Sequence, residues 1–373
     1  EAAVMAACHH RTPMLLAATL NQVDRDRGYT GWTAAEFVHQ IGAYAEKYNW
    51  DGPLYPCLDH GGPWLKDLHS LNQLTFEETF TEVKLSISAC IEAGYALLHI
   101  DPTVDRSLAP GSKLPIATVV ERTLELMVFA EETRNSLGMG EIVYEVGTEE
   151  VAGGLVDVQQ LEEYLDRLRR GLQEHRLGHI WPVFIVAQIG TDLHTTTFDP
   201  DAAARVNQRI LPLGSLIKGH FTDWVENPQA YPASGVGAAN LGPEFTAIEY
   251  CALEALELEE VKVCADYGLK PSGITSAIET CVARSGRWRK WLQPEESGMD
   301  FGELASERRR WLTLSGARYI WTSEEVIEGR TMLYSNLKRV LPDPHGQVVD
   351  RIANRIGEYV RNFRLDQWLD RWG

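Results

Sequence analysis

The stretch LYPCLDHGGP, residues 54–63, begins with a short apolar run and continues with an aspartate, a histidine, two glycines and a proline. Short apolar runs followed by polar residues recur along the chain, and their length and composition are typical of buried strands. They predict strands at Met14–Leu20, Leu54–Leu58, Leu97–Ile100, Ile142–Val146, Val183–Ala187, Ser215–Ile217 and Gly235–Leu241.

Amphipathic segments of helical length separate these runs. They lie at Thr33–Tyr48, Phe76–Ala93, Pro115–Ser136, Val158–His175 and Pro200–Ile210, and a longer one follows the last strand at Pro243–Tyr267. Strands separated by helices pair in parallel, which predicts an α/β fold. We expect a TIM (β/α)8-type barrel with a helical C-terminal extension. Because such a barrel has eight strands, the first is expected upstream of Glu1.

An open, doubly wound sheet is the alternative fold. It would be favoured by a glycine-rich nucleotide-binding turn after an early strand, and the sequence has neither GxGxxG nor GxxxxGK[ST]. Near residue 285 the pattern changes, because strands disappear and tryptophan and arginine become frequent. We therefore expect a barrel domain over residues 1–285 and a helical region over 286–373, which includes an amphipathic helix at Val349–Phe363.

Composition excludes several classes of partner. The 373 residues carry a formal net charge of −18, which argues against nucleic acid, because binding to its backbone needs clustered lysine and arginine. No apolar run approaches the ~20 residues that span a bilayer. Six scattered cysteines without a CxxC pair indicate a reducing, hence cytoplasmic, compartment. A small-molecule ligand is the expected partner, and the sequence contains no GxSxG or HExxH motif.

Histidines follow three of the predicted strands. In a barrel the residues just past each strand converge at one mouth, which would bring together His60, His194 and His220, with Glu149 as an oxygen ligand. Three histidines with one open coordination position are typical of catalytic zinc, and Mn²⁺ is the alternative ion. Asp59, beside His60, is positioned to act as an acid or base.

Other strand ends supply further candidates. Asp101 follows the third strand and is predicted to be catalytic, as is Glu149. His99 lies inside an apolar run and is interpreted as a buried core histidine. Five further residues are predicted to bind the substrate, namely Asn21, Gln22, Lys218, Asp223 and Arg318. Of these, Lys218 or Arg318 could hold an anionic group of the substrate.

Several short motifs occur in a characteristic order. They are Asn21-Gln22, Gly28-Tyr29-Thr30-Gly31, Asp59-His60-Gly61-Gly62-Pro63, His99-Ile100-Asp101, Gly147-Thr148-Glu149, Gly219-His220-Phe221-Thr222-Asp223, Gly242-Pro243, Arg318-Tyr319-Ile320-Trp321 and Asn336-Leu337. Together they resemble the D-tagatose-1,6-bisphosphate aldolase subunit of the GatZ/KbaZ type, which is similar to class II metal-dependent ketose aldolases. The resemblance runs from Glu1 to the helix near Phe363.

The resemblance implies a TIM barrel and a role in carbohydrate metabolism. By the resemblance, Asp59 corresponds to the catalytic acid/base and His60 to a metal ligand. His194 and His220 would be the histidines at the ends of later strands, and Glu149 the acidic residue that precedes the paired glycines. In this chemistry a divalent ion polarises the ketose oxygens and stabilises the enediolate formed by C3–C4 cleavage.

Three functions stay open. The first is a metal-dependent ketose aldolase or ketose 4-epimerase, since retro-aldol cleavage serves both. The second is a non-catalytic stabilising subunit of a tagatose-bisphosphate aldolase complex, and the third is a sugar-binding protein. The residues after His220 form no glycine-rich phosphate nest, which favours a free ketose or a monophosphate over a bisphosphate. The expected protein partner is either a second copy of this chain, in a homo-oligomer, or an aldolase partner subunit.

Overall fold

The computed structural model describes residues 1–109, 112, 114–147, 157–192 and 195–372. Contacts divide the chain into two compact units. The sheet unit comprises Ala7–Leu241 and Tyr359–Gly373, and the helical unit comprises Glu1–Ala6 and Gly242–Glu358. The domain boundary expected near residue 285 stays a prediction.

Within the described residues, seven parallel strands form the sheet. They are β1 (Met14–Thr19), β2 (Leu54–Gly61), β3 (Leu97–Ile100), β4 (Val143–Gly147), β5 (Phe184–Val186), β6 (Leu216–Gly219) and β7 (Val236–Ala239). Each strand pairs in parallel with the next one in the chain, in the order β1 to β7. The predicted α/β class and the seven parallel strands are confirmed.

Helices follow most of the strands. In the described part of the chain the α-helices are α1 (Ala2–His10), α2 (Ala34–Lys47), α3 (Asp67–Leu71), α4 (Phe76–Glu92), α5 (Ile116–Leu137), α6 (Val158–Glu174), α7 (Pro200–Ile210), α8 (Ala230–Ala233), α9 (Pro243–Tyr267), α10 (Ile274–Ser285), α11 (Ser306–Gly316), α12 (Glu324–Leu337), α13 (Pro344–Asn362) and α14 (Trp368–Trp372). None of these helices combines the length and the apolar character that crossing a bilayer requires.

Local sequence fixes where several of these helices begin. Thr33 and Glu36 form a capping box at the start of α2, and Thr75 and Glu78 form the same arrangement before α4. Each box satisfies two backbone N–H groups that have no partner within the helix, and a helix N-cap of this type stabilises by ~1 kcal/mol. Asp199, in the connection from β5 to α7, caps α7 by accepting the backbone N–H of Ala202.

The sheet is strongly curved. The side chain of Asn240, one residue past β7, donates a hydrogen bond of 3.0 Å to Asp59 Oδ1 on β2. In a flat sheet five strand spacings of ~4.8 Å would separate these strands by about 24 Å. The sheet is therefore rolled into at least half a barrel, and one of its faces becomes an enclosed interior.

The helical unit has its own core. Apolar side chains of α9, α10, α11 and α12 form a continuous buried cluster that includes Leu253, Ile278 and Leu333. Glu260 is fully buried on α9, where it accepts hydrogen bonds from the Ser272 backbone and from Asn336 Nδ2 at 2.6 Å. Asn336, which belongs to the Asn336-Leu337 motif, thus has a structural role, because a buried carboxylate without hydrogen-bond partners would strongly destabilise the folded protein.

Candidate metal centre

The enclosed face of the sheet carries a polar cluster built from several strands. Asp59 lies on β2, and His99 on β3 is the register partner of Glu145 on β4. Lys218 lies on β6 and His220 follows two residues later, so both lie on the same side of the extended chain. Rigid, hydrogen-bonded strands thus fix the backbone positions from which these side chains project.

Four of these side chains form a group that could hold a metal ion. One ligand atom from each of Asp59, His60, His99 and His220 lies within 4.8 Å of the others. A divalent ion lies about 2.1 Å from nitrogen or oxygen ligands, so two ligands are at most about 4.2 Å apart. Small side-chain adjustments would therefore bring all four atoms to bonding distance.

The surroundings of His99 favour a cation at this place. Its Nδ1 accepts the backbone N–H of His60 at 3.1 Å, and Asp59 Oδ1 and Glu145 Oε1 each lie 3.5 Å from the same nitrogen. Three acceptor atoms therefore face one another in a buried space. Three imidazoles and carboxylate oxygens are donors that suit Zn²⁺ or Mn²⁺, so the residues present fit such an ion.

Asp101 orients one of the imidazoles. Its Oδ2 lies 2.8 Å from His60 Nδ1, which leaves His60 Nε2 as the nitrogen available to a metal. Burial alone would raise the pKa of Asp101, but the hydrogen bond and charge of His60, together with His99 and the Thr103 hydroxyl, outweigh burial and lower the pKa to about 2. The pKa of His60 is raised, because Asp59 and Asp101 together outweigh its burial. His60 also has a positive φ of 52°, which is uncommon for a residue other than glycine and is found at functional sites.

Lys218 and Glu145 form an ion pair inside the cluster. Lys218 Nζ donates to Glu145 Oε2 at 2.6 Å and lies 4.0 Å from Asp59 Oδ1. Burial opposes ionisation of both carboxyls, but the neighbouring lysine and histidines hold the pKa of Glu145 at about 2 and that of Asp59 well below its usual value. Both carboxylates are therefore ionised at neutral pH.

Gly62 allows the Asp101 backbone to approach the end of β2. A Cβ atom on residue 62 would lie 1.7 Å from the backbone oxygen of Asp101, far inside the contact distance. The segment that carries Asp101 can therefore take its place beside His60 only if residue 62 has no side chain.

We expect Gly62→Ala to weaken metal binding. The added methyl group must displace Asp101, which then loses its bond to His60, and loss of such an orienting carboxylate raises a metal dissociation constant about 10- to 100-fold. Titration with Zn²⁺ against a chelating indicator measures this change. Gly42→Ala is the matched control, because no atom lies within 4 Å of its added Cβ. Unchanged affinity in Gly62→Ala would contradict this role.

The predicted substrate residues at the end of β1 hold loops together. Asn21 Nδ2 donates to the Leu65 carbonyl, and its Oδ1 accepts the Asp67 N–H, both at 2.9 Å. Gln22 Oε1 accepts the backbone N–H of Thr19 at 2.8 Å. Their predicted contact with a substrate stays a prediction.

The remaining predicted residues lie in different surroundings. Lys218 has a side chain only 2% exposed, and Asp223 is half-buried just past His220. Arg318 belongs to the helical unit, where its guanidinium lies over the rings of Trp291 and Tyr319. Their substrate-binding roles also stay predictions. Two further candidates lie outside the described residues, namely Glu149 and His194.

Two members of the cluster were not identified from the sequence. His99 is buried as predicted, with a side chain 2% exposed, but it also faces the carboxylates and belongs to the possible metal group, which the sequence did not indicate. Glu145 was included in a strand without a role. The available signals were the His99–Asp101 spacing of two residues and a charged residue inside an otherwise apolar strand.

Comparison with known proteins gives relatives that cover most of the chain. The solved structure of a probable tagatose 6 phosphate kinase from Sinorhizobium meliloti matches with a TM-score of 0.76, over 97% of this chain and 95% of that chain. Sequence identity in that comparison is 20%, so the likeness concerns the fold alone. A D-tagatose 6-phosphate 4-epimerase from Agrobacterium fabrum is 25% identical over 362 residues, which cover 90% of this chain and 81% of that protein. The family model described as D-tagatose-1,6-bisphosphate aldolase subunit GatZ/KbaZ-like matches residues 1–364.

Proposed function

The chain belongs to the D-tagatose-1,6-bisphosphate aldolase subunit GatZ/KbaZ-like family, and from this premise we propose that it is a metal-dependent enzyme that epimerises a ketose phosphate at C4. The observation that carries the proposal is the convergence of Asp59, His60, His99 and His220 within 4.8 Å. The Agrobacterium relative, whose name specifies 4-epimerisation of tagatose 6-phosphate, supports the choice of substrate class and reaction. We also infer that the curved sheet belongs to a closed TIM-type barrel.

His60, His99 and His220 would hold the ion, together with Asp59 or an oxygen of the substrate. Zn²⁺ is the proposed metal and Mn²⁺ the alternative, and His194 and Glu149 stay predicted ligands. A divalent ion bound there would supply Lewis-acid stabilisation of negative charge on the ketose oxygens. Asp101 keeps the His60 ring in the orientation that this coordination needs.

Asp59 is proposed to move the proton. Its low pKa keeps it ionised at neutral pH, its side chain remains 14% exposed, and Asn240 fixes the position of Oδ1. The carboxylate accepts the C4 hydroxyl proton as the C3–C4 bond breaks, which gives an aldehyde and the enediolate of the other fragment. Rotation of the aldehyde before the bond reforms, with return of the proton from Asp59, inverts C4.

Metal analysis combined with a substrate panel tests this function. Purified protein is analysed for bound metals, stripped with a chelator and reloaded with Zn²⁺ or Mn²⁺. Interconversion of tagatose 6-phosphate and fructose 6-phosphate is followed by NMR, with free ketoses, tagatose 1,6-bisphosphate and a triose phosphate assay in parallel. We expect metal-dependent interconversion of the monophosphates. Net release of triose phosphate instead would identify an aldolase, and a protein without metal or turnover would refute the proposal.

The family description favours one other function, that of an aldolase subunit. A non-catalytic subunit would stabilise a separate aldolase without binding a metal itself. This function would replace the first if metal-free protein, or a His60→Ala variant, raised the activity of a class II aldolase as strongly as the wild type does. The group of possible metal ligands favours the enzyme, because stabilising a partner does not require three converging imidazoles.

A further inference from the structure

Glu145 has no assigned role in the proposed reaction, and Lys218 has only a predicted contact with the substrate, although both are almost completely buried inside the cluster. The side chain of Glu145 is 0% exposed and that of Lys218 is 2% exposed. We propose that they form a positioning pair, in which the Glu145 carboxylate orients the candidate metal ligand His220 and Lys218 holds that carboxylate in place. This inference rests on the proposed metal-dependent function.

The two oxygens of Glu145 have separate partners. Oε2 accepts the Lys218 ammonium at 2.6 Å, while Oε1 lies 3.3 Å from His220 Nε2 and 3.5 Å from His99 Nδ1. One carboxylate thus connects a fixed cation to the His220 imidazole, while His99 Nδ1 accepts the backbone N–H of His60 instead. A carboxylate that contacts a ligating histidine fixes the orientation of its ring and raises its basicity, which is a common arrangement around metal sites.

The strands make this arrangement rigid. Glu145 is the register partner of His99 across β3 and β4, so their side chains project from adjacent backbone positions on the same face. Lys218 and His220 are two residues apart and also project to one side. The pair is therefore set by the sheet and does not depend on loop conformation.

The same relation exists at a second imidazole, His60, whose Nδ1 contacts Asp101 at 2.8 Å. Two histidines of the candidate site, His60 and His220, therefore each contact a buried carboxylate. A buried ion pair usually stabilises a protein no more than well-packed apolar residues would. A role toward the histidines explains why these two charges are accommodated in the interior.

Two variants test the positioning pair. Glu145→Gln keeps the shape of the side chain but removes its charge, and the double variant Glu145→Lys with Lys218→Glu keeps opposite charges together while turning an ammonium group toward His99 and His220. Zn²⁺ affinity is measured by competition with a chelating indicator, the visible absorption of the Co²⁺-loaded protein reports ligand geometry, and thermal unfolding of the metal-free protein reports folding.

We expect Glu145→Gln to raise the Zn²⁺ dissociation constant about 10- to 100-fold and to alter the Co²⁺ spectrum. The exchanged pair should bind still more weakly, although a purely structural ion pair would tolerate the exchange. If the exchanged pair does not fold, Glu145→Gln alone decides. Glu131→Gln is the matched control, because Glu131 is 2% exposed but contacts Tyr144, which precedes Glu145 and points to the opposite face of β4.

Wild-type affinity and an unchanged Co²⁺ spectrum in Glu145→Gln would overturn the positioning role while leaving the proposed function intact. A wild-type protein that binds neither Zn²⁺ nor Co²⁺ would overturn both. Reduced affinity in Glu145→Gln with wild-type affinity in Glu131→Gln would support the assignment, since general destabilisation of the strand would affect both variants.

Discussion

His220→Ala should lose its bound metal and reduce turnover of the ketose phosphate at least ~10³-fold, which corresponds to about 4 kcal/mol of transition-state stabilisation. His220 is one of the three imidazoles in the candidate group, and its removal leaves too few protein ligands for tight binding of a divalent ion. Stabilisation of charge on the substrate oxygens would be lost with the ion. Metal analysis after dialysis and a steady-state epimerisation assay measure both effects.

His69→Ala is the control for this variant. The two histidines are equally buried, at 3% and 4% exposure, so each substitution removes a similar amount of packed side chain. His69 lies on α3 and is not part of the metal group. We therefore expect His69→Ala to lose stability but to retain metal. Equal metal content in His220→Ala and wild-type protein would rule out a ligand role for His220.

Asp59→Asn should lower kcat by about 10²- to 10⁴-fold at saturating metal, the range typical for loss of a positioned acid or base. The amide has nearly the shape of the carboxylate, and its oxygen can still accept the hydrogen bond from Asn240. The fold should therefore persist while the group that accepts the C4 proton is absent. Single-turnover kinetics with the metal-loaded variant separates this step from binding.

Asp101→Asn provides the contrast to Asp59→Asn. Asp101 contacts His60, and we expect it to act only by orienting the His60 ring. Asp101→Asn should therefore bind metal 10- to 100-fold more weakly and regain kcat when metal is in excess. An Asp59→Asn enzyme whose kcat is likewise restored by excess metal would show that Asp59 is a ligand and not the proton acceptor.

Local features of the sequence were sufficient to predict most of the framework. Short apolar runs between amphipathic helices predicted the parallel sheet, and α9 begins and ends where the sequence indicated, at Pro243–Tyr267. Residues at the ends of strands, such as His60 and His220, could be identified because polar residues there follow an apolar run directly. Placing them at one mouth required only the rule that parallel strands end at the same edge.

Residues inside the strands were harder to assign. All four residues of β3 are buried, because both faces of the strand are covered, so no alternation shows which side chains face the interior. The sequence therefore predicts that His99 is buried but not that it could bind a metal, and it assigns no function to Glu145. The contact between Asp59 and Asn240 joins residues 181 positions apart. Only the curvature of the assembled sheet brings them together, and no local pattern specifies that curvature.

The hydrogen bond between Asn240 and Asp59 also has a kinetic consequence. Contacts between residues so distant in the chain form late, because closing a long loop costs entropy before any contact compensates for it. Residues of the candidate centre extend from Asp59 to His220, so a chain that has not been synthesised as far as His220 cannot complete it. Metal that binds only the native chain then adds stability by mass action, about 2.7 kcal/mol at a hundredfold excess over the dissociation constant. Acquisition of metal would therefore mark the completion of folding in the sheet unit.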